Sequence, residues 1–105
     1  MARVYCCVPD LMLASRVIES LKAAGHEVMP ASTLPENGQA EFDLIVCDLD
    51  AVDPEALAKL EPPAIGFYSH VDVETKQKAL DAGVDLVVPR SRMSRELPQL
   101  VASFI

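Results

Sequence analysis

The chain has 105 residues, half of them apolar and 24% charged, the balance of a folded domain rather than a disordered segment. That length supports one hydrophobic core and not two, so residues 1–105 read as a single domain. A net charge of −7 argues against nucleic acid as a partner, and apolar runs far below the ~20 residues of a bilayer span argue against the membrane.

The opening residues MARVYCCVPD contain neither the apolar stretch nor the cleavage site of a signal peptide, which predicts a cytoplasmic protein. Within them, residues 3–8 form a β-prone run that Pro9 and Asp10 end. Leu13, Ala14, Val17, Ile18, Leu21 and Ala24 then recur at helical spacing, with Gly25 placed to stop the helix. Residues 26–31 read as a second strand, and Pro30 suggests that it lies at an edge. Residues 32–41 contain Pro35 and Asn37-Gly38, so they predict a loop or at most one helical turn.

Residues 42–48 (FDLIVCD) give the strongest strand signal, apolar on both faces as in a central parallel strand. Asp53 and Pro54 form an N-cap and first-turn pair that opens a short helix through about Leu60, and Pro62-Pro63 stops it. Residues 64–69 are a fourth strand. Asp72 is placed to cap a helix with Val73, Lys76 or Gln77, and Leu80 on one side, which Gly83 ends. Residues 84–89 are a fifth strand and residues 94–103 a last helix, in which Pro98 is tolerable only near the start.

Strands that alternate with single helices predict a parallel sheet covered on both faces, an α/β domain. Polar loops at the carboxyl ends of such strands gather where ligands bind. Those ends are Pro9-Asp10, Asp48-Leu49-Asp50, Ser69-His70 and Arg90-Ser91. His70 could ligate a metal or sense pH, although an exposed loop histidine is the plainer reading.

Charge is unevenly spread. From Glu36 to Glu61 there are eight carboxylates and one base, Lys59, whereas Arg90, Arg92 and Arg95 cluster near the C-terminus. Most of the acidic residues read as a solvated face. Cys6, Cys7 and Cys47 form no Cys-x-x-Cys pair and are odd in number, which argues against a disulfide framework and structural zinc. Inside apolar strands they read as small core hydrophobes.

Two carboxylates, a hydroxyl and a guanidinium at one sheet edge have a plain chemical logic. Asp10 and Asp48 could hold a hard divalent cation through oxygen ligands and water. Asp48 could accept a phosphoryl group whose oxygens Ser69 and Arg90 neutralise. Alternatively, Arg90 pairs directly with Asp48 or Asp10, and the edge is a structural lock.

Over essentially its whole length the chain resembles the receiver domain of bacterial response regulators. The resemblance rests on FDLIVCDLD, with Asp48 at the phosphoacceptor position, on Ser69 at the end of the fourth strand, and on Ala82-Gly83 closing the helix that follows. It implies a flavodoxin-like, three-layer, doubly wound domain of strand order 2-1-3-4-5. It also implies Mg2+ held by Asp10, Asp48 and the backbone carbonyl of Asp50, and phosphorylation of Asp48 from a kinase phosphohistidine. The partners implied are a histidine kinase or a signalling target, and the face made by the fourth helix, fifth strand and fifth helix becomes a candidate dimer surface. The arginine group lies there.

The departures are specific. The first of two acidic positions is Pro9. Counting on from Gly83, Arg90 stands where receivers have lysine, Ser91 where they have proline, and Val87 where they have a switch aromatic. Only 21 positions separate Asp48 from Ser69, which predicts shortened second and third helices. The expectation is a stand-alone signalling module rather than an enzyme, either phosphorylated on Asp48 or, as a pseudo-receiver, binding partners without phosphorylation. A small flavodoxin-like enzyme or redox protein is the third reading. The cysteine-phosphatase pattern fails outright, because it needs arginine six residues after Cys7 and finds Leu13.

Overall fold

Five short runs rich in branched and sulfur-containing side chains form one sheet: β1 (Arg3–Cys7), β2 (Glu27–Ala31), β3 (Leu44–Asp48), β4 (Ala64–Tyr68) and β5 (Leu86–Pro89). The computed structural model describes residues 2–35, 42–69 and 73–105. All neighbouring strands are parallel, in the order β2-β1-β3-β4-β5. β3 is central and buried at every position, which explains its lack of polar–apolar alternation. β2 is an edge strand, where Pro30 interrupts no ladder through the middle of the sheet.

Among the described residues four helices cover the sheet: α1 (Leu11–Ala23), α2 (Pro54–Ala58), α3 (Val73–Ala82) and α4 (Arg90–Ala102). Period-two alternation splits the strand side chains between two cores. On one face Val4, Cys6, Val46, Phe67 and Val88 meet Leu13, Val17 and Leu21 of α1 and Met93, Leu97 and Val101 of α4. On the other, Tyr5, Cys7, Ile45, Cys47 and Leu49 meet Leu57 of α2 and Ala79 of α3. This is the three-layer, doubly wound architecture expected.

Local signals account for most helix ends. Asp53 Oδ1 accepts the Glu55 N–H at 3.1 Å, with Pro54 in the first turn, and α2 is only five residues long. Gly25 (φ +92°) follows the end of α1 and Gly83 (φ +96°) the end of α3, backbone angles that glycine adopts without strain. Residues 32–35 contain no helix. Asn37-Gly38 and the expected Asp72 cap lie outside the described residues.

Two expectations are corrected. The last helix begins at Arg90 rather than Ser94, because Pro89, extended at φ −68° and ψ 153°, serves as N-cap straight out of β5. Arg90 and Ser91 are therefore a first helical turn and not a loop, and Pro98 sits well inside α4. Its missing N–H forgoes one helical hydrogen bond, and the buried flank of Met93, Leu97, Leu100 and Val101 holds the helix to the sheet regardless. On α3 the expected apolar side fails too. Val73 and Leu80 are exposed, while the small Ala79 is fully buried and allows close helix–sheet approach.

Gly66 leaves room on β4 for a neighbouring side chain. A Cβ there would fall 2.7 Å from Cδ2 and 2.8 Å from Cδ1 and Cγ of Leu49, the residue after Asp48. Gly66→Ala should lower stability by about 1–3 kcal/mol through overpacking. In chemical denaturation, Leu49→Ala in the same background should recover part of that loss, whereas strictly additive losses would contradict the contact.

Candidate functional site

Because all strands run the same way, the ends of β1, β3, β4 and β5 open onto one edge. The buried end of β3 brings Asp48 there, only 6% exposed. The chain turns at once: Leu49 donates its N–H to Phe67 O at 2.9 Å, and Asp50 donates its N–H to Asp48 Oδ1, also at 2.9 Å. The second bond is an Asx-type turn, and it occupies one carboxylate oxygen.

The other oxygen faces Arg90. Its Nη2 lies 3.6 Å from Asp48 Oδ2, an ion pair made possible because α4 starts at that residue. The guanidinium side chain is 43% exposed, yet its Nε is buried and has no hydrogen-bond partner among the described residues. Burial outweighs this counter-charge. Asp48 has a pKa raised above the ordinary carboxylate value, chiefly by desolvation; the Asp50 N–H and Arg90 pull it down, while the charges of Asp50 and Asp10 push it up. A cation beyond hydrogen-bond distance and partly in water cannot offset the lost hydration.

Asp10 is near enough to be felt electrostatically by Asp48, but one of its oxygens is engaged elsewhere. Asp10 Oδ1 accepts the N–H groups of Met12 (3.0 Å) and Leu13 (3.1 Å), capping α1. The cap accounts for an acidic residue here in structural terms. Ser69 Oγ lies 3.2 Å from Asp50 Oδ2 and donates to it, so the hydroxyl is bonded to Asp50 rather than to Asp48. His70 lies outside the described residues. The edge thus assembles Asp10, Asp48, Asp50, Ser69 and Arg90.

For Mg2+, the chemically suitable donors are the carboxylates of Asp10 and Asp48 and the Asp50 carbonyl. Asp48 Oδ1 already accepts the Asp50 N–H, and Oδ2 faces Arg90 at 3.6 Å, so a divalent ion here would share Asp48 with that cation. Among the described residues no group of three or more His, Cys, Asp or Glu side chains is arranged to hold a metal. Nor is any helix long and apolar enough to cross a membrane.

No protein-family model matches the sequence, and no curated protein matches it. Solved structures do. A CheY-like response-regulator receiver domain from Methanospirillum hungatei superposes with a TM-score of 0.83 at 21% identity, over 98% of this chain and 92% of that one. The chemotaxis response regulator CheY4 of Vibrio cholerae gives 0.81 at 19% identity, over 100% and 99%. The ChxR receiver domain of Chlamydia trachomatis gives 0.73 at 17%, over 98% and 94%. The chain has the fold of a response-regulator receiver domain.

Within that receiver fold, the arginine group is less free than its sequence suggests. Arg92 Nε and Arg95 Nη2 both approach Glu96 Oε2, at 3.7 and 3.3 Å. The i, i+4 spacing of Arg92 and Glu96 was a readable signal for this pair. No such signal announces Ser69 with Asp50, or Cys7 beside Cys47 across β1 and β3, because both depend on strand register.

The raised pKa fixes a sign. A native carboxyl that holds its proton more tightly than the unfolded chain contributes stability at low pH, and that contribution is lost as pH rises through the native pKa. Asp48→Asn removes the ionisation and keeps an acceptor for the Asp50 N–H. The melting temperature of this variant, relative to the parent, should therefore rise between about pH 3 and pH 7. A difference that falls over this range would contradict the burial of Asp48.

Proposed function

We propose that this chain is a receiver-like signalling module that acts through protein contacts, with Asp48 and Arg90 forming a structural ion pair at the site edge. The observation that carries this reading is the engagement of both Asp48 oxygens, one by the Asp50 N–H and one by Arg90. Arginine suits such a role, since its planar fork stays charged and can span from α4 to β3. Support for a protein partner comes from the apolar surface beside the same edge. Leu11, 81% exposed at the start of α1, lines a groove with Val8, Pro9, Ala14, Ile18 and Pro30, and its neighbour Met12 is 79% exposed.

A second reading keeps Asp48 as phosphoacceptor, with Mg2+ at Asp10, Asp48 and the Asp50 carbonyl. The unpartnered Nε of Arg90 favours it, because a phosphoryl oxygen would supply the missing acceptor. In that case Arg90 swings from carboxylate to phosphoryl group, and Ser69 leaves Asp50 to join it. A histidine kinase would then be the donor.

Backbone NMR with Mg2+ and beryllofluoride separates the two. On the proposed reading, the amides of Asp48, Ser69 and Arg90 keep their shifts at millimolar ligand. Shifts centred on these residues, and lost in Asp48→Asn, would replace it with the phosphoacceptor reading.

A further inference from the structure

The proposed role of Asp48 leaves unused a pair of thiols directly beneath it. Cys7 ends β1, Cys47 is the penultimate residue of β3, and the two are register partners in adjacent parallel strands. Register partners have Cα atoms about 4.8 Å apart, inside the window of roughly 4.4–6.8 Å that a disulfide spans. Both side chains point to the same face, into the core formed with Tyr5, Ile45, Leu49 and Tyr68, and both are 0% exposed. Cys6 points to the opposite face and cannot join them.

We propose that Cys7 and Cys47 are a reversible dithiol–disulfide site whose oxidant is a small peroxide, and that their bond couples redox state to the edge carrying Asp48. The two thiols face each other across the β1–β3 ladder within one core, so a sulfenic acid formed on one has the other sulfur beside it to resolve it. Cys6 faces the opposite core, and burial pushes its thiol up to about 12.

The chemistry balances as two thiols plus one peroxide giving one disulfide and two waters. The Cys7 sulfur gives up its proton and attacks one peroxide oxygen, the O–O bond breaks, and the departing hydroxide takes up that proton to become water. Cys47 sulfur then attacks the sulfenic sulfur of Cys7. The S–O bond breaks, and the hydroxide released takes the Cys47 proton as the second water. Each sulfur loses one electron and each peroxide oxygen gains one.

Full burial makes local opening of the sheet edge the gate, so oxidation is slow and selective for small oxidants. Two parallel strands at ladder spacing direct their Cβ atoms alongside each other rather than together, so the bond pulls the strand ends inward. Such bonds are the readily reduced, regulatory kind. Here the pull falls on Asp48, one residue past Cys47, and on the Val8–Pro9–Asp10 turn after Cys7.

The test is hydrogen peroxide treatment of the reduced, folded chain, followed by denaturation, alkylation and peptide mapping. Two of the three thiols should be lost, with a Cys7–Cys47 linked peptide, a mass lower by two hydrogens and full recovery by dithiothreitol. The Asp48 and Asp50 amides should shift on oxidation and return on reduction. Cys6→Ala should oxidise like the parent, whereas Cys47→Ala should form no intramolecular bond; circular dichroism establishes that each variant is folded. Recovery of all three thiols under conditions that oxidise the urea-unfolded chain would overturn the proposal, as would a link that includes Cys6. So would a Cys7–Cys47 bond that leaves the Asp48 and Asp50 amides unmoved.

Discussion

A carboxylate withdrawn from water must be met by donors and counter-charge, and at this sheet edge that requirement falls on Asp48, the one charged side chain buried among the described residues. The local chain is arranged around it. Asp50 turns back to give its N–H, Leu49 is drawn under the edge by its bond to Phe67, and Gly66 leaves the space Leu49 fills. Arg90 reaches it because β5 passes into α4 without a loop. Burial nevertheless exceeds the counter-charge in effect, so the pair orients the edge more than it stabilises the fold.

Much of this was legible in the residues, for identifiable reasons. Of the expected strand FDLIVCD, LIVCD is a strand buried on both faces while Phe42 and Asp43 precede it, and the strands separated by single helices lie parallel. Glycines 25 and 83 and prolines 54 and 62 marked helix ends by their backbone restrictions, which act locally. What escaped depends on distance through space. Whether Arg90 stood in a loop or a helix turned on Pro89 adopting an N-cap conformation, and a proline inside a later turn, Pro98, argued the other way. Val73 and Leu80 suggested the buried side of α3, but the sheet accepts only Ala79 at close approach.

The site residues divide on the same line. Asp48 and Arg90 were placed by counting along strands, and the structure sets them face to face. Ser69 was placed correctly at its strand end, while its partner, Asp50, belongs to a turn whose geometry no local pattern encodes. The acidic residue at position 10 has a second occupation as helix cap, which sequence shows equally for a metal ligand and for an N-cap. The fold is shared with receivers at identities near 20%, so the likeness speaks for the arrangement of strands and helices.

The strand order also dictates a history for each molecule. Of the five strands β1 is made before the others, yet it lies between β2 and β3, and Val4 completes its pairing only when Leu44 has been made. Until then the apolar segment from Val4 to Val8 has one neighbour at most, and its second must be recruited by closing a long loop. Folding of this chain is therefore governed by encounters between distant segments, slower than helix formation, with the two thiol-bearing strands brought together late.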